Sequence, residues 1–347
     1  MQQDASKFSL SVEDQQNIQS VKNEVEDQLL GFNNVVGVGI GVKHEDGQAT
    51  GTPSIVALVD QKLPEDQLDD AEIVPKDIKG IKTDVIEVGY LIAGANQTIN
   101  GDIQTLKKRI RPAKGGYSVG HKNITAGTIG TCVYDILAGG SVNPPVHGTG
   151  VPSRYYILSN NHVLANSNNA NIGDPILQPG PIDGGTDPAD RIAKLSRFVP
   201  ITFAPQVPLE KHNNIVDAAI AEGEFHDLDR EVYWTGNIRG WRRKANVTVG
   251  TKVTKTGRTT NKSFGMISAV NATVDINYGG GKVARFKNQI IIANPTMSAG
   301  GDSGSLITTL DNVAVGLLYA GSPSTTIACH IEDVRSLLKV EVADQIL

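Results

Sequence analysis

Three short blocks of the chain hold residue types suited to nucleophilic chemistry. The first is Gly300-Gly301-Asp302-Ser303-Gly304-Ser305, set directly before an apolar run that begins at Leu306. Acyl transfer needs a hydroxyl activated by a base, and N–H groups aimed at the oxyanion that develops. Glycines on both sides of Ser303 permit a tight turn that points backbone amides inward, so Gly301 and Ser303 are the expected donors. The second block, Ile157-Leu158-Ser159-Asn160-Asn161-His162-Val163-Leu164, is an apolar strand followed by a polar turn, and it offers His162 as the base. The third is Asn214-Ile215-Val216-Asp217-Ala218-Ala219-Ile220-Ala221. A carboxylate at the head of a buried run needs a partner, because burying it unpaired is costly. The His162 imidazole would satisfy Asp217 and be oriented by it.

The chain order of these groups is His, Asp, Ser, with separations of 55 and 86 residues. Subtilisin-type enzymes run Asp, His, Ser, and α/β-hydrolases run Ser, Asp, His. Ser305, and the lack of a strand-to-helix pattern around Ser303, also exclude the G-x-S-x-G elbow of the hydrolases. His, Asp, Ser is the order of the double-barrel proteases, in which the first barrel supplies His and Asp and the second supplies Ser.

On these residues the chain resembles the chymotrypsin/trypsin superfamily of serine proteases: GGDSGS, NNHVL and VDAAIA are similar to its three active-site blocks. Val253 to Thr260, with Gly265-Met266-Ile267, is similar to the second barrel of bacterial α-lytic-type proteases. VVGVGIGV, KLPEDQL and GDPILQPGPIDGG extend the resemblance over nearly the whole chain, to bacterial relatives of the plant narrow-leaf trypsin-like proteases. It implies a serine endopeptidase with His162, Asp217 and Ser303 as triad. By the same resemblance Met297 floors the specificity pocket, Leu318 and Thr326 form its walls, and Arg258 is the buried partner of Asp302. Without a carboxylate at the floor, a small or medium apolar residue is expected at the cleavage site. Two positions depart from the superfamily pattern, Ser305 where Gly is usual and Asn161 where a small residue is common. Neither removes a catalytic atom. Animal-type zymogens insert a freshly cut Ile-Val-Gly-Gly-like terminus; Gly115-Gly116-Tyr117-Ser118 offers none, so the uncut chain is expected to be active.

The elements that must position these groups are legible in outline. The expected fold is mainly β: two six-stranded chymotrypsin-like antiparallel barrels, over 111–240 and 241–347, preceded by a small α/β domain over 1–110 and ending in a helix at Glu332–Lys339. In the first domain Ser11 and Asp14 have capping-box spacing, Ile18, Val21, Val25 and Leu29 recur at helical steps, and Gly31 stops the run. Val35 to Val42, with Gly37, Gly39 and Gly41, is followed by the turn His44-Glu45-Asp46-Gly47 and a second strand over Ile55–Val59. That reads as a hairpin with a glycine-lined face rather than a dinucleotide fingerprint. From Gly115 onward short β segments alternate with Gly, Asn and Pro.

Charge excludes some classes of function. Residues 1–110 carry 10 Lys and Arg against 18 Asp and Glu, while residues 111–347 carry 22 against 19. The acidic front and weakly basic back argue against a nucleic-acid partner. The split suggests that the first domain docks on the barrels or on a neighbouring copy partly through charge, forming a homo-oligomer. No apolar run approaches a membrane span of roughly 18 residues. Cys132 and Cys329, the two cysteines, are expected as buried thiols in a cytoplasmic protein, without a disulfide framework. Asp174, Asp183, Asp187 and Asp190 match no calcium-loop spacing, so neither a metal nor a cofactor is expected. The partner is a protein or peptide substrate. The rival reading is a catalytically silent protease-fold scaffold that binds peptides and oligomerises.

Overall fold

The computed structural model describes residues 5–94 and 106–347. The chain opens with α1 (Val12–Leu30), N-capped by Ser11 in a capping box with Asp14 and ended by Gly31. A hairpin follows, β1 (Val35–Glu45) and β2 (Gln48–Val59), turned by Asp46 and Gly47, both at positive φ. Single-turn helices over Glu65–Gln67 and Asp70–Glu72 lead to β3 (Ile81–Glu87), which pairs parallel with β2, and then to the short β4 (Ile92–Ala93).

The first barrel contains β5 (Ser118–His121), β6 (Gly127–Thr128), β7 (Thr131–Asp135), β8 (Tyr155–Ser159), α2 (Asn161–Leu164), β9 (Pro175–Leu177), β10 (Arg191–Phe198) and β11 (Ala219–Gly223). Its ladder runs β7-β8-β11-β10-β9-β5-β6, antiparallel throughout. Alternate residues of these strands face a core of Ile157, Ile176, Leu195 and Ala221.

The second barrel is built from β12 (Lys252–Gly257), β13 (Asn261–Asn277), β14 (Val283–Ala293), β15 (Leu306–Thr309), β16 (Val313–Gly321) and β17 (Thr325–His330). The order is β12-β15-β16-β17-β14-β13, and pairing of β12 with β13 closes it. The chain ends in α3 (Ile331–Leu338) and β18 (Val340–Glu341); β18 returns to pair with β7 of the first barrel. The expected mainly β fold of two barrels with a helix at each end is therefore present.

Residues 5–94 pack on the second barrel. β1 pairs antiparallel with β13, Gly37 opposite Val274 and Gly41 opposite Ala269, so the hairpin extends the second barrel's own sheet. A Cβ at Gly37 would lie 2.8 Å from Val274 Cγ1 and 3.0 Å from the Thr273 carbonyl, which is why the face that meets β13 is lined with glycine. Ile18, Leu29, Ile40 and Ile55 share one apolar cluster with Val253, Ile267 and Ile307 of the barrel. The buried Gln15 accepts from Val249 N–H at 2.9 Å, and the buried Lys22–Glu26 pair meets Thr273. Docking thus runs through a backbone ladder and apolar burial, and the acidic surface contributes the ion pair of Asp27 with Arg285 of the barrel, Nη1 to Oδ1 at 3.7 Å. Among the described residues, no helix is long and apolar enough to cross a membrane.

Candidate active site

The His162 block folds as read. β8 delivers the chain into α2, and His162 occupies the second position of that short helix. Asn160 Nδ2 donates to the Asp217 carbonyl at 2.7 Å, tying the two segments together. Asn161, where a small residue was expected, is an anchor: its amide donates to the Val199 carbonyl and to Asn168 Oδ1, both at 2.7 Å.

Asp217 is fully buried at the head of β11. Its carboxylate accepts from His162 N–H at 3.2 Å, stands 2.6 Å from His162 Nδ1, and accepts from Tyr278 Oη at 2.8 Å. Three donors compensate the loss of water around that charge. A proton on Nδ1, held by the carboxylate, leaves the lone pair on Nε2. Nε2 is buried and has no hydrogen-bond partner among the described residues, so it is free to accept.

Ser303 lies on a loop clamped from the first barrel. Thr128 N–H donates to the Ser303 carbonyl at 2.7 Å, and Thr128 Oγ1 donates to the Gly301 carbonyl at 2.8 Å. Gly127 is wedged between Val163, the residue after His162, and the Ser303 carbonyl, so the histidine and serine blocks meet across it. Gly301 and Gly304 both have φ above +90°, a region that glycine enters without strain. The amides of Gly301 and Ser303 make no hydrogen bond among the described residues, as an oxyanion site requires. Ser303 Oγ rests 3.4 Å from the Tyr319 carbonyl, a long contact that leaves the hydroxyl free to rotate. Ser305, the other departure, donates to the Asp302 carbonyl at 2.6 Å and braces the turn.

The partner of Asp302 is not Arg258. Lys255 Nζ, itself fully buried, approaches Asp302 at 3.2 Å, and the carboxylate also accepts from the N–H groups of Ala299, Thr259 and Thr260 and from Thr260 Oγ1. Arg258 forks onto Asp183 of the first barrel, with Nε 2.7 Å from Oδ2. Strand alternation explains the exchange. Lys255 and Gly257 share the face of β12 that meets Asp302, and Arg258 falls on the other. Burial lowers the Lys255 pKa and the Asp302 charge opposes that shift.

The cavity beside Ser303 is lined by Ser298, Ala299, Leu318, Ala320 and Gly321, and its free volume is about 10 Å³. Leu318, expected as a pocket wall, lines this cavity. Thr326 lies behind the lining, sharing a 2.6 Å hydrogen bond with Ser298. Met297 does not form the floor; its side chain turns into the apolar cluster against Gly265, which has no Cβ to oppose it.

Tyr278, Lys255 and Thr128 were missed. An inward lysine in the alternating run Val253, Lys255, Gly257 was a readable signal for the second. Tyr278 follows a long strand with no local sign that it reaches Asp217. Burial, and then the Asp217 charge, hold its phenol well above the ordinary tyrosine value, so it stays a donor.

No family model matches the chain and no curated protein matches it. Among solved structures it is similar to protease A of Thermobifida fusca, at 16% identity over 67% of this chain and 98% of that one, with a TM-score of 0.43. A glutamic-acid-specific serine protease is similar at 18% identity over 66% of this chain and 99% of that one, TM-score 0.43. A Nocardiopsis protease is similar at 17% identity over 67% and 98%, TM-score 0.42. The structural neighbours are thus bacterial serine proteases, at low sequence identity.

Proposed function

We propose that the protein is a serine endopeptidase that hydrolyses peptide bonds through an acyl-enzyme on Ser303. The observation that carries this reading is the buried Asp217 carboxylate held against His162 Nδ1 at 2.6 Å. Ser303 Oγ attacks the scissile carbonyl and its proton passes to His162 Nε2. The oxyanion is met by the amides of Gly301 and Ser303. His162 then returns the proton to the leaving amine, and water, deprotonated by the same imidazole, releases the acyl group. Asp217 holds the imidazole tautomer throughout. The cavity beside Ser303 contains no carboxylate, so small apolar residues are preferred over Lys and Arg at the cleavage site.

Hydrolysis of a peptide library by the wild-type, Ser303→Ala, His162→Ala and doubly substituted chains tests this. Each single change should remove nearly all turnover and the double change little more, because residues acting as one unit are non-additive. A single variant that kept most activity would end the triad reading, and a clear preference for basic residues would end the specificity reading. One observation favours the silent-scaffold rival, namely Ser303 Oγ resting on the Tyr319 carbonyl. A wild-type chain that binds peptides and cleaves neither peptides nor p-nitrophenyl esters would establish it.

A further inference from the structure

The short strand β4 lies on the rim of the candidate site, where Ile92 also pairs parallel with Asn277 at the end of β13. It pairs antiparallel with the end of β16, Ala93 opposite Ala320 and Ile92 opposite Gly321. On their other side Ala320 and Gly321 pair with Ile327 and Thr326 of β17, so without β4 this segment would be an open sheet edge. Such an edge is a template for a peptide strand, with backbone bonds supplying affinity. The antiparallel register carries Gly94 toward Tyr319, whose carbonyl holds Ser303 Oγ, and Gly94 lines the cavity beside Ser303. The volume left there holds about one water.

The approach to β4 is anchored at several points. The Val88 carbonyl accepts from Ser322 and Ser324, at 3.1 Å for the latter. Asn277 N–H donates to the Leu91 carbonyl at 3.1 Å, and the Leu91 side chain is buried in the main core. Gly94 has a φ of +68°, and a Cβ there would meet nothing within 4 Å. Its backbone, with no side chain, is what reaches the cavity.

We infer that the edge of β16 is a peptide-strand site whose resident occupant is the chain's own Ile92–Gly94, so the uncut protein holds itself in a self-occupied state. Calling the displaced ligand a substrate rests on the proposed peptidase function; the occupancy does not. The sequence predicts that the uncut chain is active; a self-occupied edge would make it slower than a chain whose β4 is displaced. Whatever lifts β4, competing peptide or cleavage, frees the edge.

The test uses the full chain with Ser303→Ala, which cannot turn over a peptide, and the fluorescein-labelled peptide IEVGYLIAG, the sequence of residues 86–94. Ala93→Pro removes an N–H from the strand. Gly94→Val penalises the left-handed backbone without meeting a neighbour, and so carries the comparison if Ala93→Pro does not melt cooperatively. By fluorescence anisotropy, the peptide should bind either variant at least about tenfold tighter than the Ser303→Ala chain, because the tethered strand no longer competes. The Gly321 amide, which alternation turns away from the side on which the Ser322 amide donates to Thr325, should lose hydrogen-exchange protection in the variants and regain it with peptide. Equal affinity for the variants and their parent, including no binding to any, overturns the inference. Tighter binding without hydrolysis by the Ser303-containing chains leaves the strand site standing and removes the peptidase reading. Hydrolysis with unchanged peptide affinity does the reverse.

Discussion

Tyr278 Oη donates to Asp217 Oδ2 at 2.8 Å, so a residue of the second barrel completes the hydrogen bonding of a carboxylate that belongs to the first. The ring is fixed independently, stacked on Phe286 and edge-on to Phe203 and His162. Tyr278→Phe should keep that packing and lose only the hydroxyl. A hydrogen bond to a charged group contributes about 1.5–3 kcal/mol. As a positioning residue Tyr278 should therefore cost roughly 10- to 100-fold in kcat/KM, with melting little changed. Peptide hydrolysis and a thermal melt check this, and kcat/KM within twofold of wild type would remove Tyr278 from the site.

Lys255 and Arg258 serve different carboxylates, and a double-mutant cycle separates them. Lys255→Met strands the buried Asp302 beside the proposed oxyanion loop, at about 3–5 kcal/mol for breaking a buried pair. Adding Asp302→Asn should recover part of that loss. Arg258→Met acts instead on the contact with Asp183, which ties the barrels together. The prediction, read from urea unfolding, is a larger coupling of Asp302 to Lys255 than to Arg258. The reverse order would restore the pairing that the resemblance implied.

The glycine-lined face of β1 gives a stability prediction. Gly37→Val would drive its side chain into Val274 and the Thr273 carbonyl, where overpacking costs roughly 1–3 kcal/mol or more. Gly47→Asn, in the exposed turn at positive φ, should be nearly neutral. Comparable losses from the two changes, measured by denaturant unfolding, would mean that close approach to β13 is not what the glycines serve.

His330 supplies an acid dependence. Burial, aided by Lys244 and opposed by Glu332, pushes its pKa down to about 3 from 6.5. Between those values the unfolded chain binds a proton that the folded chain refuses, so stability rises with pH there and is lost as pH falls from about 6.5 toward 3. His330→Gln should flatten this limb, by up to about 3 kcal/mol between neutral pH and about pH 4. Urea unfolding along that range would show parallel limbs for both chains if His330 contributed nothing.

The candidate site was more legible in the sequence than the architecture that positions it. His162, Asp217 and Ser303 each sit at the junction of an apolar run and a polar or glycine turn, a local signal. The limits of α1 were readable too, from Ser11, Asp14 and Gly31. The long strands β13 and β14 were underestimated because Asn271 and Asn288 sit inside them at positive φ, beside register shifts that read as turns. The Lys255–Asp302 and Arg258–Asp183 pairs and the Tyr278 contact join residues tens of positions apart. Only the barrel's closure decides which face each presents. The β1–β13 ladder escaped notice because a hairpin with a glycine face can pair with itself or with any open edge.

On the proposed reading Ser303 is a nucleophile activated by His162. This is tested most directly by exposing the wild-type, Ala93→Pro, His162→Ala and Ser303→Ala chains to a biotinylated fluorophosphonate and mapping the adduct by mass spectrometry. The expected result is a single adduct on Ser303, faster in Ala93→Pro than in the wild type, roughly 100-fold or more slower in His162→Ala, and absent from Ser303→Ala. A folded Ala93→Pro chain with no adduct on Ser303, or a His162→Ala chain labelled as fast as the wild type, would contradict it.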